Sequence, residues 1–247
     1  FPIQEKNSSE LPDPVAHYRM DERSGGTNAI KDSSGNGYHG TSSGIANSSF
    51  LAKGHDGKVG SAINFDGTDD YITTSNINTG SGGFGVTNKI TVTCWAKSDT
   101  ENWNKHAMLI SKRDSFIMHP METSKEIRFY VYTSNWAYVG YTPSSITEWA
   151  FYTGTYDGTE LKLYINGSLV ASGWNGSGSQ GSNINNDTGQ MKIGSDDGIS
   201  GRYFDGKLDD VRIYDTALSS DQIRDIYTNK PKISKNITSR DEIEATF

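Results

Sequence analysis

Carboxylates and other oxygen-bearing side chains crowd two regions of this 247-residue sequence. One combines Asp21 and Glu22 with the turn-rich run Asp32-Ser33-Ser34-Gly35-Asn36-Gly37-Tyr38-His39-Gly40, and the other is the adjacent pair Asp209-Asp210. Two neighbouring carboxylates repel unless a cation or a hydrogen-bond donor lies between them. Calcium takes six to eight oxygens from carboxylates, amides and backbone carbonyls, and a glycine-punctuated loop presents these without steric cost. Asp21, the loop around Asn36, and Asp209 could therefore grip one calcium ion, provided that the first and last strands of the fold are neighbours. Asp66-Gly67-Thr68-Asp69-Asp70 and Asp196-Asp197-Gly198 are acidic too, but such runs read as solvated turns.

A second chemistry is written in aromatic residues outside the strand patterns. Sugars stack their C–H-rich faces on aromatic rings while a few polar side chains fix their hydroxyls. Trp103, Trp136, Tyr138, Trp174 and Tyr203 are the loop candidates, with Arg113 and Arg202 as partners for acidic sugars. Trp95 and Trp149 sit inside strand patterns and read as core. Catalytic patterns are missing. There is no G-x-S-x-G, H-E-x-x-H or P-loop, and no clustered Glu-x-Asp-x-x-Glu of the kind that places two carboxylates about a glycosidic bond. The five histidines are dispersed along the chain, and the single cysteine, Cys94, lies in an apolar strand and excludes an intrachain disulfide framework.

The elements that must position these residues are short strands. Val15–Met20, Ile90–Lys97, Ala107–Ser111, Ile127–Thr133, Ala137–Tyr141, Glu148–Tyr156, Leu161–Ile165, Ser168–Ser172, Gln190–Gly194 and Asp205–Tyr214 carry β-branched and aromatic residues in half-buried patterns. Asp157-Gly158 and Asn166-Gly167 are hairpin turns, and Ser134-Asn135-Trp136 reads as a third hairpin tip. The spacing predicts one helix. Ser219 is its N-cap, Gln222 completes a capping box, and Leu218 and Ile223 form a hydrophobic staple. Many short strands with little helix describe an all-β, antiparallel β-sandwich of jelly-roll type, spanning 15–228. Residues 1–14 read as a leader or linker, and 229–247 as a C-terminal tail or linker. A net charge of −7 without a basic cluster argues against nucleic acid as a partner. No stretch approaches the ~20 apolar residues of a membrane-spanning helix.

In order along the chain, YRMDERSGG, DSSGNGYHGT, GKVGSAINFDGTDDYI, ITVTCWAK, EWAFYTGTYDGTELKLYINGSLV and FDGKLDDVRIYDTALSSDQI resemble the laminin-G-like, concanavalin-A-like jelly rolls of secreted prokaryotic proteins. The resemblance implies two curved antiparallel sheets, a structural calcium near the chain ends, and a non-catalytic role in binding glycans or in adhesion to a cell-surface protein. It further implies an extracellular or cell-surface location, as a monomeric module of a larger protein. Carried over, the calcium ligands are Asp21, the Asn36–His39 turn and Asp209, with Asp32 as a further ligand or turn-former. His39 departs from the family's pattern, where an oxygen-bearing Asp or Asn is common.

Overall fold

The structure is a computed structural model that describes residues 10–46, 49, 57–74, 77, 88–197 and 199–228. Most of the expected leader and all of the expected tail lie outside the described residues.

Two antiparallel sheets carry the described chain. The first contains β1 (Ala16–Tyr18), β15 (Asp205–Tyr214), β5 (Ile90–Ser98), β10 (Ala150–Tyr156), β11 (Leu161–Ile165) and β12 (Ser168–Gly173) in that spatial order, with β3 (Ile63–Asp66) pairing the start of β15. The second runs β13 (Asn175–Gly176), β9 (Trp136–Tyr141), β8 (Ile127–Tyr132), β7 (Phe116–His119), β6 (Ile110–Lys112), β14 (Lys192–Ile193), β4 (Tyr71–Thr74) and β2 (Gly40–Ser43). A single helix, α1 (Ser220–Tyr227), follows the last strand. Hydrophobic side chains from both inner faces form one core, among them Val92, Cys94, Phe129, Val131, Leu163 and Ile213. This is the expected sandwich, with more strands than the ten that the pattern gives: β2, β3, β4, β7 and β13 are additional.

Local chemistry accounts for the connections. Asn166 and Gly167 both adopt positive φ, 52° and 77°, which is what a two-residue turn matched to strand twist demands between β11 and β12. The two sheets meet closely where Gly154 of β10 lies beneath Phe129 of β8. A Cβ there would sit 2.2 Å from the ring, so no other residue fits. The helix starts as the sequence predicts: Ser219 accepts the Gln222 N–H, and the Gln222 side chain accepts the Ser219 N–H.

Register places the chain ends together. Ala16, His17 and Tyr18 pair with Ile213, Arg212 and Val211, so the first strand lies beside the last. Asp209 and Asp210 lie in the middle of β15, where the pairing with β5 slips between Asp209 and Arg212 and Asp210 adopts φ 48°. Such a bulge bends the strand and re-aims its side chains.

Candidate ligand-binding site and the acidic corner

The bulge sends the two adjacent carboxylates to different partners. Asp210 Oδ1 meets His17 Nε2 at 2.6 Å, and its two oxygens accept from Arg212 Nε and Nη2 at 3.0 and 2.8 Å. Burial pushes its pKa up, but these partners outweigh burial and the net shift is downward. Asp209 turns the other way. Its Oδ2 accepts the backbone N–H groups of Lys58 and Val59, each at 2.7 Å, while Oδ1 is buried without a hydrogen-bond partner. Burial, with Asp210 and Asp21 adding repulsion, pushes the Asp209 carboxyl up to about 7.

Asp21 reaches the same short turn from the opposite side, with Oδ1 accepting the Ser61 N–H at 2.9 Å. Gly60, at φ 89°, makes that approach possible, because a Cβ would lie 2.4 Å from the same oxygen. Asp21 and Asp209 thus brace one turn, 57–61, as the neighbouring first and last strands require.

The other three expected ligands are engaged elsewhere. Asp32 Oδ1 accepts from the backbone N–H groups of His17 and Ser34, and Oδ2 from the Ser34 hydroxyl and the Tyr38 N–H. Burial raises this carboxyl, but four hydrogen bonds more than compensate and its pKa falls. Asn36 donates its amide to Val15 O, and His39 Nδ1 accepts the Asp32 N–H. Asp32, Asn36 and His39 therefore lock a loop through Asx-type bonds, with Asp32 in the turn-forming role that the sequence offered beside that of a ligand.

A separate acidic group exists at the β3–β4 turn. One oxygen from each of Asp66, Asp69 and Asp70 lies within 4.8 Å of the others, a spacing that could hold a metal ion. The expectation of a solvated turn fails for Asp70, which is 2% exposed and pushed up to about 6, first by burial and then by its acidic neighbours.

On the second sheet, alternation divides each strand between two faces. Phe116 and Met118 of β7, Phe129 and Val131 of β8, and Ala137 and Val139 of β9 point into the core. The opposite positions gather Ile117, Tyr130, Trp136 and Tyr138 into an outer cluster that also includes Met108. Register lines up Ser111, Ile117, Tyr130, Tyr138 and Asn175 across five strands. Tyr130 is the centre of this face. His119 stacks on it at 4.8 Å between ring centroids, Tyr138 tilts against it at 5.1 Å, and Trp136 meets it edge-on at 6.1 Å. Arg128 lies 4.6 Å above the Tyr138 ring.

This face forms the wall of a pocket of about 410 Å3. Arg113 and Arg202 also line it, together with His106, Met121, Asn135 and Ser177. Both arginines are held from behind by Asp196, whose side chain is fully buried. Its Oδ2 accepts Arg113 Nη1 at 2.6 Å and Arg202 Nη1 at 2.9 Å, and its Oδ1 accepts the Ser111 hydroxyl at 3.2 Å. Asp196 is thus an internal anchor, not the solvated turn residue that the sequence suggests.

Of the residues expected to meet a ligand, Arg113, Trp136, Tyr138 and Arg202 come together in this pocket. The others do not. Trp103 is completely buried against Tyr152 and Phe204, so its ring is core. Trp174 packs on Tyr156 and donates Nε1–H to Gly178 O, which closes a loop. Tyr203 leans on Tyr71 and is not part of the pocket wall. Sequence reasoning missed Tyr130, Ile117, His106 and His119. Tyr130 was recoverable, since it alternates with the core residues Phe129 and Val131. His119 was not, because β7 carries four consecutive buried residues with no alternation to read.

Comparison with known proteins agrees with this architecture. The family model described as the concanavalin A-like lectin/glucanases superfamily (Laminin_G_3) matches residues 66–224. The chain belongs to that superfamily. Among solved structures, it is similar to domain 4 of AbnA, a GH43 extracellular arabinanase from Geobacillus stearothermophilus, in complex with arabinotriose. That match has TM-score 0.61 and 21% identity, and covers 88% of this chain and 100% of that one. It is also similar to the binding domain of botulinum neurotoxin serotype D, with TM-score 0.64 and 16% identity over 90% of this chain and 53% of that one. The binding domain of Paraclostridial Mosquitocidal Protein 1 gives TM-score 0.63 and 14% identity over 88% and 52%. The chain thus spans about half the length of these two toxin domains. At such identities the likeness is one of fold. No curated protein sequence matches the chain. No helix among the described residues is long and apolar enough to cross a membrane.

Proposed function

We infer that this chain is a non-catalytic glycan-binding module, and that the pocket on the outer face of the second sheet is where the sugar sits. The observation that carries the reading is the convergence of Tyr130, Trp136 and Tyr138 with two anchored arginines in one open pocket. The partly exposed Trp136 and Tyr138 supply stacking surface over Tyr130, and guanidinium groups with Asn135 and Ser177 supply polar contacts to hydroxyls. Among the described residues the pocket wall contributes no carboxylate, whereas glycoside hydrolysis asks for two flanking the scissile bond. The arabinotriose complex of the arabinanase domain is in keeping with sugar binding on this fold. An extracellular or cell-surface setting, as a monomeric module of a larger protein, goes with the same reading.

Calcium belongs to the proposal as a structural ion. Asp21 and Asp209 fit the role: both are hard oxygen donors, they flank one turn, and Asp209 holds a buried oxygen without a partner. The ion would neutralise two repelling carboxylates and fix the 57–61 turn to the chain ends.

A glycan array that includes arabino-oligosaccharides and acidic polysaccharides tests the binding reading. Retention on at least one glycan, lost in Trp136→Ala with the melting temperature preserved, is expected. Absence of retention on every glycan would leave the chain as a protein-binding adhesion module.

A further inference from the structure

The pocket is chemically lopsided. Its aromatic residues are neutral, and its lining also carries Arg113 and Arg202 against the single charge of Asp196. Two cations facing one anion leave an excess positive charge there, in a chain whose net charge is −7. Two further charge pairs stand in this region: Lys105 with Glu122 at 3.1 Å, and Arg128 with Glu126 at 2.8 Å.

The anchoring geometry sharpens the point. Asp196 receives only one nitrogen, Nη1, from each guanidinium, and among the described residues no other partner takes their remaining donors. The arginine side chains keep 30% and 23% of their surface exposed, while the Asp196 side chain keeps none. Asp196 therefore works as a fixed strut behind two forks whose free N–H groups remain available to the pocket. A guanidinium presents parallel N–H groups that match a carboxylate in a bidentate pair, and pre-positioning lowers the ordering cost of making it. His106 registers the same field: its pKa is lowered first by burial and then by Arg202 and Lys105. Its Nδ1 is buried in the same region without a partner.

We propose that the pocket selects an acidic sugar, a uronate residue whose ring lies on the partly exposed Trp136 and Tyr138 and whose carboxylate is clasped by Arg113 and Arg202. This rests on the glycan-binding reading and names its ligand class. A neutral sugar would leave both forks solvated by water only, whereas a uronate replaces that water with charge-assisted hydrogen bonds.

The matched pair of ligands is a uronate oligosaccharide and the same oligosaccharide with its carboxyl groups reduced to alcohols. Galacturonate, glucuronate and mannuronate series would be titrated into the whole chain by calorimetry at one fixed calcium concentration. At least one uronate should bind about tenfold or more tightly than its reduced form. The gap should narrow between about 50 and about 300 mM salt, because screening weakens a partly exposed charge pair. Arg202→Gln should remove the preference and retain the residual affinity for the reduced sugar. Arg113 still pairs with Asp196 in that variant, and a melting curve verifies the fold. Should the variant fail to fold, the reduced-ligand comparison and its salt dependence decide alone. Equal affinity for each acid and its reduced form, or binding confined to neutral arabino-oligosaccharides, overturns the acidic selectivity and leaves glycan binding intact. Failure of every glycan, neutral or acidic, overturns the glycan-binding reading itself.

Discussion

The outer faces of the two sheets carry similar aromatic residues and treat them in opposite ways. On the first sheet, Trp95, Phe151 and Tyr164 are covered by α1, whose Ile223 and Ile226 complete a small second core. Tyr227 finishes the lid, stacking 5.5 Å from Trp95 and 6.2 Å from Phe151. On the second sheet, Ile117, Tyr130, Trp136 and Tyr138 form an equivalent patch, yet among the described residues no helix lies over it and it opens into the pocket. Aromatic content alone therefore does not mark a binding face. What distinguishes the second face is that Trp136 and Tyr138 stay partly exposed over a buried Ile117–Tyr130 base, beside charged groups fixed by Asp196.

The largest expected effect is on the covered face. Ile223→Ala removes a fully buried side chain from the helix–sheet contact and should cost about 2–5 kcal/mol of unfolding free energy in a denaturant titration. Glycan retention by the folded fraction should be unchanged. A cost typical of a surface residue would mean that α1 does not act as a lid, and the contrast between the faces would collapse.

Calcium should act on the first sheet only. If Asp21 and Asp209 hold an ion, saturating it at about a hundred times its dissociation constant stabilises the fold by about 2.7 kcal/mol. Chelator should then lower the melting temperature, and Asp209→Asn should abolish that response. The pocket lies on the other sheet, so glycan affinity of the folded protein should be the same in chelator. An identical melting curve with and without chelator removes the ion from the account, and a lost affinity would join the two faces.

An effect confined to acid pH belongs to the open face. His119 is 5% exposed, and its Nδ1–H donates to Pro120 O at 2.5 Å. Burial outweighs that bond and drives its pKa down from 6.5 to about 3. Between these values the unfolded chain binds a proton that the folded chain refuses. Stability from this residue is therefore complete above pH 6.5 and is lost progressively as pH falls toward 3. The slope amounts to at most about 1.4 kcal/mol per pH unit, and it should flatten in His119→Phe. An unaltered slope in that variant would show that His119 titrates in contact with water.

The legible and illegible parts of the sequence divide along the range of the interactions. Hairpin turns and the capping box at Ser219 are set within four residues and could be read directly. The neighbouring of chain ends was readable as a condition on the acidic residues, and the β1–β15 pairing meets it. The candidate pocket was legible at Trp136, Tyr138, Arg113 and Arg202. It was illegible at His106 and His119, which look dispersed in sequence yet stand 5.8 Å apart as rings. Asp32, left open between ligand and turn-former, and Asp196, read as solvated, were hard to place for one reason. Whether a carboxylate in a turn meets an ion, water or the protein depends on donors brought in from elsewhere: the His17 N–H for Asp32, and Arg113 for Asp196. Trp103 lies in a segment with loop-like composition, but Tyr152 and Phe204 close over it from distant strands.

The most direct test of the open face is retention of Trp136→Ala on whichever polysaccharide the unaltered chain binds best, measured beside its melting temperature. Trp136 is partly exposed and packs edge-on against Tyr130 and Tyr132, so truncation should leave melting nearly unchanged. Affinity should fall about tenfold or more, the loss expected for a central aromatic contact. Undiminished retention by a folded Trp136→Ala protein would contradict the assignment of this face to the sugar.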